Sequence, residues 1–317
     1  MGAIAKSTAE TGPPRRGKRD SVTRRSARLG YVISTPAFAV IVLVTLFPII
    51  FATAMSFAHV SAGPAGLQFD WAGLANYKTV LASPSMHHAL AFTAIFAVVG
   101  VVVGLIVGIA VALVLDEMSH GRALVLALML VPYSMITVIV AELWAYILNG
   151  LYGIANYILM SLDIIKEPVT FLSTTVGAFS SIVLAEEWKT VPFITLIVLA
   201  GLRMVDRELY AAATVDGAGW FARVRMITVP LVKPAIATAA IFRILQSWGL
   251  FDMVFVLTGG GPGASTQSVA MLMYNALFLN FNLGQGATIS TVTMVIVLVI
   301  SISVMSVFRL QVSAGER

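Results

Sequence analysis

The hydrophobic pattern has the length scale of a bilayer rather than the short period of an amphipathic surface helix. A helix needs about 20 mostly apolar residues to cross the hydrocarbon, because lipid cannot satisfy the backbone of an open structure. Six segments meet this length: 31–57, 89–115, 123–148, 174–202, 235–257 and 287–308. The first, second and sixth contain no charge at all. The third holds only Glu142, the fourth is interrupted by Glu186-Glu187-Trp188-Lys189, and the fifth carries Arg243 and Asp252. The pattern predicts an all-α, polytopic membrane protein with six transmembrane helices.

Composition agrees with that pattern. Hydrophobic residues make up 59% of the 317 positions and charged residues 11%, with a mean hydropathy of +0.93. An average soluble domain carries about 25% charged residues, so a water-soluble core is excluded. Cysteine is absent, which removes disulfides, thiolate metal sites and cysteine nucleophiles together. The net charge of +5 does not indicate a nucleic-acid surface, since eight of the twenty Lys and Arg fall in the first 28 residues. This basic tail, 1–29, carries Pro13 and Pro14, lacks apolar periodicity and is expected to be disordered. The apolar stretch behind it is too long for a signal peptide and ends in no small-residue cleavage site.

Basic loops stay in the cytoplasm. With the amino terminus inside, sixteen of the twenty Lys and Arg lie on the cytoplasmic side, while the outer loops hold only Lys78 and Lys166. Both termini are therefore expected to be cytoplasmic, with a membrane domain over 30–312 and a short tail over 313–317. Gly100, Gly104 and Gly108 line one face of the second span and predict a close helix contact. Pro36, Pro48, Pro132 and Pro192 mark expected kinks.

The connection 203–234 is longer than adjacent membrane helices need. Asp206 suits an N-cap, Ala211, Ala212 and Ala213 favour helix, and Asp216-Gly217 supplies a break before a second short helix led by Trp220. This stretch resembles the EAA loop of ABC importer permeases, in which Glu-Ala-Ala, three residues, Gly, nine residues and Ile-x-Leu-Pro form a helical hairpin. Ala212, Ala213, Gly217, Ile227 and Pro230 match; Ala211 stands in place of the Glu and Val229 in place of the Leu. Trp71-Ala-Gly73-Leu74-Ala-Asn76-Tyr77 is similar to the Phe-x-Gly-Leu-x-Asn-Tyr stretch of carbohydrate permeases. With Leu199-Ala-Gly-Leu202 and Leu257-Thr-Gly-Gly-Gly-Pro262, the resemblance covers about residues 31–308 and points to the maltose and glycerol-phosphate type.

That resemblance implies a type I ABC importer permease fold and a coupling element at Ala211, Ala212, Ala213, Asp216, Gly217, Ile227 and Pro230. It also implies a second homologous permease chain, two ATPase subunits and an extracellular solute-binding protein as partners. ATP and Mg would sit on the ATPase, with no cofactor or metal in this chain. The glycines 259–261 are followed by no Gly-Lys-Ser/Thr and form no phosphate cradle.

Charges inside spans need partners or a watery cavity. Glu142, Glu186, Glu187, Lys189, Arg243 and Asp252 are thus candidates for a translocation path, with Glu186–Lys189 pairing as the alternative for those two. Helical spacing puts Glu187, Thr190 and Phe193 on one face, and Arg243, Gln246 and Ser247 on another. Donors, acceptors and an aromatic plate are what a sugar requires. The resemblance to carbohydrate permeases implies a substrate cavity on these same fourth and fifth spans, so the expected substrate contacts are Glu187, Thr190, Phe193, Arg243, Gln246 and Ser247, with Glu142 and Tyr146 added from the third span. A di- or oligosaccharide is the expected cargo, with trehalose, other sugars and glycerol phosphate left open. No internal repeat supports a secondary transporter. No His-Glu-x-x-His or Gly-x-Ser-x-Gly pattern supports an enzyme.

Overall fold

The computed structural model describes residues 19–63 and 66–314. Most of the basic tail, 1–18, and the last residues, 315–317, lie outside the described residues. Helix α1 (Arg19–Ser56) begins ahead of the boundary expected at residue 30, so 19–29 are helical. A hairpin of β1 (Ala58–Gly63) and β2 (Gly66–Trp71) follows, antiparallel with Ala58 opposite Trp71 and Val60 opposite Phe69. The helical pattern had not predicted it.

Next come α2 (Ala75–Ala82), α3 (Pro84–Glu117), α4 (Arg122–Ser134), α5 (Thr137–Ile147), α6 (Ile154–Ser161) and α7 (Thr175–Leu202). The chain continues through α8 (Arg207–Val215), α9 (Trp220–Arg223), a π-helical turn at Val224–Thr228 and α10 (Val229–Trp248). It closes with α11 (Asp252–Leu257), α12 (Val269–Tyr274), a second π turn at Asn275–Leu279 and α13 (Leu283–Ala314). Two compact units result, Met1–Ala52 and Thr53–Arg317. In the first, Phe47 and Phe51 stack with ring centroids 6.1 Å apart.

In the second unit α3, α7 and α10 pack mutually. Helix α3 starts where Ser83 accepts a bond from Met86 N (3.1 Å) and Pro84 fills a position whose N–H would have no partner. Thr174 caps α7 in the same way through Gly177 N (3.1 Å). One apolar core joins Phe96, Val140, Ile182 and Met253; another joins Leu115, Ile194, Val198 and Val232. A third surrounds Met86, Val269 and Ile289.

Among the described residues, four helical stretches are long and apolar enough to cross a membrane: Phe38–Ser56, Pro84–Glu117, Trp220–Trp248 and Leu283–Val304. Counting the pair Arg122–Ser134 and Thr137–Ile147 as one span makes five, against the six expected. That pair is bent by 96° at the break Met135–Ile136, so the expected span 123–148 is not one straight helix. The expected span 235–257 is likewise interrupted, because α10 ends at Trp248 and α11 starts at Asp252. The apolar stretch begins instead at Trp220, inside what the sequence reads as a loop. Helix α7 is 28 residues long, but Glu186, Glu187 and Lys189 interrupt its apolar run.

The Asn76 motif is a structural clasp. The Asn76 amide donates to the carbonyls of Ser56 (3.0 Å) and Ala58 (2.9 Å), and Tyr77 Oη meets Ser56 Oγ at 2.6 Å. Thr288 Oγ1 on α13 also donates to Ser56 O (3.2 Å). Buried amides without such partners are costly, so this side chain fixes where the strand hairpin and α2 meet α13.

Candidate functional site

The charges predicted within the spans do gather, but chiefly with one another. Arg243 on α10 is 1% exposed and donates from Nε (3.2 Å) and Nη2 (2.5 Å) to Glu187 Oε1 on α7. Its Nη1 lies 3.7 Å from Glu186 Oε1. Glu186 thus pairs with Arg243, whereas Lys189 sits with Nζ 6.0 Å from the centre of the Tyr133 ring. A guanidinium presents several donors in a fixed fork, which lets one Arg hold two neighbouring carboxylates. The Arg243 guanidinium also lies 5.6 Å from the Phe96 ring centre on α3.

The glycine face of α3 makes this cluster possible. A Cβ on Gly100 would stand 2.8 Å from Arg243 Nη2, and one on Gly104 would stand 2.6 Å from Glu187 Oε2. At Gly108 it would stand 2.6 Å from Ile194 Cγ2. The close helix contact read from the four-residue spacing is therefore made with α7 and α10, and two of the three glycines make room for charge. Glu186 Oε2, Glu187 Oε2 and Arg243 Nη1 are buried and find no hydrogen-bond partner among the described residues.

The remaining predicted contacts separate. Thr190 and Ser247 are buried, and each hydroxyl donates to its own helix, to Glu186 O and Arg243 O, both at 2.8 Å. Phe193 is half-buried between Tyr133 (5.3 Å, stacked) and Phe242 (5.7 Å, edge-on). Gln246 is exposed although its neighbour Ser247 is buried. Glu142 and Tyr146 lie apart from this cluster, lining a pocket of about 550 Å³ with Ile139, Leu143 and Tyr152. Asp252 is exposed in the first turn of α11, where a helix dipole favours a carboxylate. Glu187 and Trp188 edge a larger, mostly apolar cavity of about 1230 Å³ between α3, α4 and α7.

The first arm of the 206–230 segment folds as the sequence predicts, whereas the expected second short helix is the start of one continuous helical run, Trp220–Trp248. Asp206 caps α8 by accepting from Glu208 N (2.9 Å). The helix ends with Gly217 at φ +76°, Gly217 N bonded to Thr214 O (3.1 Å) and Ala218 N to Ala213 O (2.9 Å). These crossed bonds close the last carbonyls of α8, and the left-handed turn they require suits glycine. Ala211, Ala212, Asp216, Gly217 and Pro230 are exposed and Ile227 is half-buried. Val215, Trp220 and Phe221 are also exposed, so the hairpin presents apolar side chains outward.

Sequence reasoning missed the residues that hold this hairpin. Arg207 Nη2 bonds Asp116 Oδ1 (2.9 Å), and Trp220 Nε1 donates to Glu117 Oε1 (2.9 Å). Two adjacent acids at the end of an apolar helix were the available signal. It also missed an aromatic ladder, Phe251–Phe255–Tyr274–Phe278, with successive contacts of 5.0–5.3 Å.

The chain is 37% identical over 288 residues to the trehalose/maltose transport system permease protein MalF of Thermococcus litoralis, covering 90% of this chain and 96% of that protein. It is 35% identical to the trehalose transport system permease protein SugA of Mycobacterium tuberculosis, covering 91% of each. In fold it is similar to a bacterial ABC transporter involved in import of the acidic polysaccharide alginate. That likeness has a TM-score of 0.78 at 22% identity, over 92% of this chain and 99% of that one. Residues 15–313 match the family described as binding-protein-dependent transport system inner membrane component, and the chain belongs to that family of permease components.

Proposed function

We propose that this chain is the permease subunit of an ATP-driven, binding-protein-dependent importer that moves a di- or oligosaccharide into the cytoplasm. The observation that carries the reading is the 206–230 hairpin, with its glycine break and outward apolar side chains, on a chain of this family. Apolar side chains exposed on a polar hairpin call for a protein partner. That partner is the ATPase, present in two copies with ATP and Mg bound there; a second permease chain and an extracellular solute-binding protein complete the assembly.

The chain crosses the plasma membrane six times with both termini in the cytoplasm. The remaining span is α7, whose charged centre packs against α3 and α10. The membrane domain occupies about 30–312, with 1–29 and 313–317 as cytoplasmic tails. Cargo passes along the faces of α7 and α10. Phe193 offers an apolar plate to a sugar ring and Gln246 an amide to its hydroxyls. Glu187, Arg243, Thr190 and Ser247 set the spacing of those faces and meet the sugar when the helices part, and Glu142 and Tyr146 contact it from α5. ATP-driven closure of the ATPase pushes on Ala211–Ala213, Asp216, Gly217, Ile227 and Pro230, switching access from one side to the other. Relatives named for trehalose and maltose transport support the disaccharide reading.

The test is uptake into proteoliposomes holding the whole assembly, with labelled trehalose, maltose and glycerol 3-phosphate as separate cargos. Saturable uptake of a disaccharide that needs both ATP and the binding protein is expected. Uptake that persists without ATP, or of glycerol 3-phosphate alone, would overturn the assignment.

A further inference from the structure

The hairpin connects to the rest of the chain by two routes. One is covalent: α9 runs through the π turn at Val224–Thr228 into α10, which carries Arg243. The other runs through side chains to the end of α3. Arg207, the first residue of α8, binds Asp116, and Trp220, the first residue of α9, binds Glu117. Each arm of the hairpin is thus held by one of two adjacent acids.

Those acids occupy the last turn of α3, where the exposed carbonyls make a carboxylate locally unfavourable. No feature of α3 itself asks for them there; the donors on the hairpin do. Their other end is equally informative. From Asp116 back to Gly100 is sixteen residues of continuous helix, about 24 Å at 1.5 Å per residue. Gly100 and Gly104 lie against Arg243 and Glu187. Helices α3 and α10 therefore both leave the hairpin and meet again at the buried charges.

We propose that Asp116 and Glu117 are positioning residues that clamp the hairpin to α3, making α3 a second transmission arm beside α10. With both arms tied to one lever, α3 and α10 move together against α7, and the displacement arrives where Arg243 faces Glu186 and Glu187. Without the clamp, α10 alone follows the hairpin and the motion is dissipated at the glycine face of α3. This inference rests on the reading of 206–230 as the ATPase-coupling element.

The experiment uses the whole assembly in proteoliposomes and reads substrate transported per ATP hydrolysed, with ATPase co-purification as a check on assembly. Asp116→Arg and Arg207→Asp are each expected to lower that ratio at least five-fold while the ATPase still co-purifies. The charge-swapped double variant is expected to recover at least half of it. Glu117→Gln combined with Trp220→Phe should reproduce the loss. A ratio within two-fold of the parent for both single variants, loss of ATPase co-purification in them, or failure of the swap to restore the ratio would each overturn the clamp. Gly217→Asp separates the two readings: normal coupling in that variant removes the hairpin's role altogether, whereas impaired coupling there with unaffected clamp variants removes only the clamp.

Discussion

Arg243 with Glu187 and Arg207 with Asp116 are the same chemical pair in opposite settings. The side chains of the first pair are 1% and 7% exposed, and its guanidinium also faces a second carboxylate. In the second pair Arg207 is 64% exposed and only Asp116, at 11%, is largely covered. Taking charges out of water is costly, and their attraction repays it only while both partners stay in place. A pair with one partner open to water carries a much smaller penalty and contributes little net stability. The buried pair therefore sets whether α7 and α10 fold together, while the exposed pair is free to act in motion, where small energies suffice.

The largest effect should follow from breaking the buried pair. Arg243→Met leaves two glutamates without a cation and should cost about 3–5 kcal/mol, read as loss of thermal stability in detergent. Adding Glu187→Leu should restore part of that loss, with Glu186 as the remaining unpaired charge. If Arg243→Met proved as stable as the parent, the pair would not be the structural centre argued above.

Glycines draw the same contrast at a smaller scale. Gly104→Ala drives a methyl against Glu187 Oε2 and Ile194 Cδ1, and overpacking of this kind costs about 1–3 kcal/mol. Gly219→Ala in the hairpin meets nothing within 4 Å at an ordinary φ of −66°, and should be nearly neutral. Gly217→Ala meets no neighbour either, but its φ of +76° is unfavourable for any side chain by about 1–2 kcal/mol. That cost should appear locally, as faster hydrogen exchange of the amides of 206–218, with little change in global stability.

What was legible in the sequence follows the same division. Local signals carried the hairpin: the Asp206 cap and the Gly217 break are decided by residues a few positions apart, and both stand as read. The glycine spacing announced a close contact, because the absence of side chains on one face is also local. Partner choice was not local. Glu186 and Lys189 share a helix face by spacing, yet Arg243 arrives from another helix with more donors and takes Glu186. The helix breaks before Thr137 and after Trp248 were hidden because hydropathy averages over a turn and passes through a bend. Gln246 and Ser247 were assigned one face, and the packing of α10 buries one and exposes the other.

The smallest expected effect is also the sharpest separation of the two pairs. A double-mutant cycle with Asp116→Asn and Arg207→Gln should give a coupling of about 0.2–1 kcal/mol, the range of exposed pairs. Raising salt from about 0.1 M to about 1 M shortens the Debye length from about 10 Å to about 3 Å, so most of that coupling should vanish. The corresponding cycle with Glu187→Gln and Arg243→Gln should keep its value, because counter-ions do not reach side chains 1% and 7% exposed. Equal salt sensitivity in both cycles would mean that water and ions penetrate the α3, α7 and α10 crossing. The Glu187–Arg243 pair would then belong to an open path rather than to a packed centre.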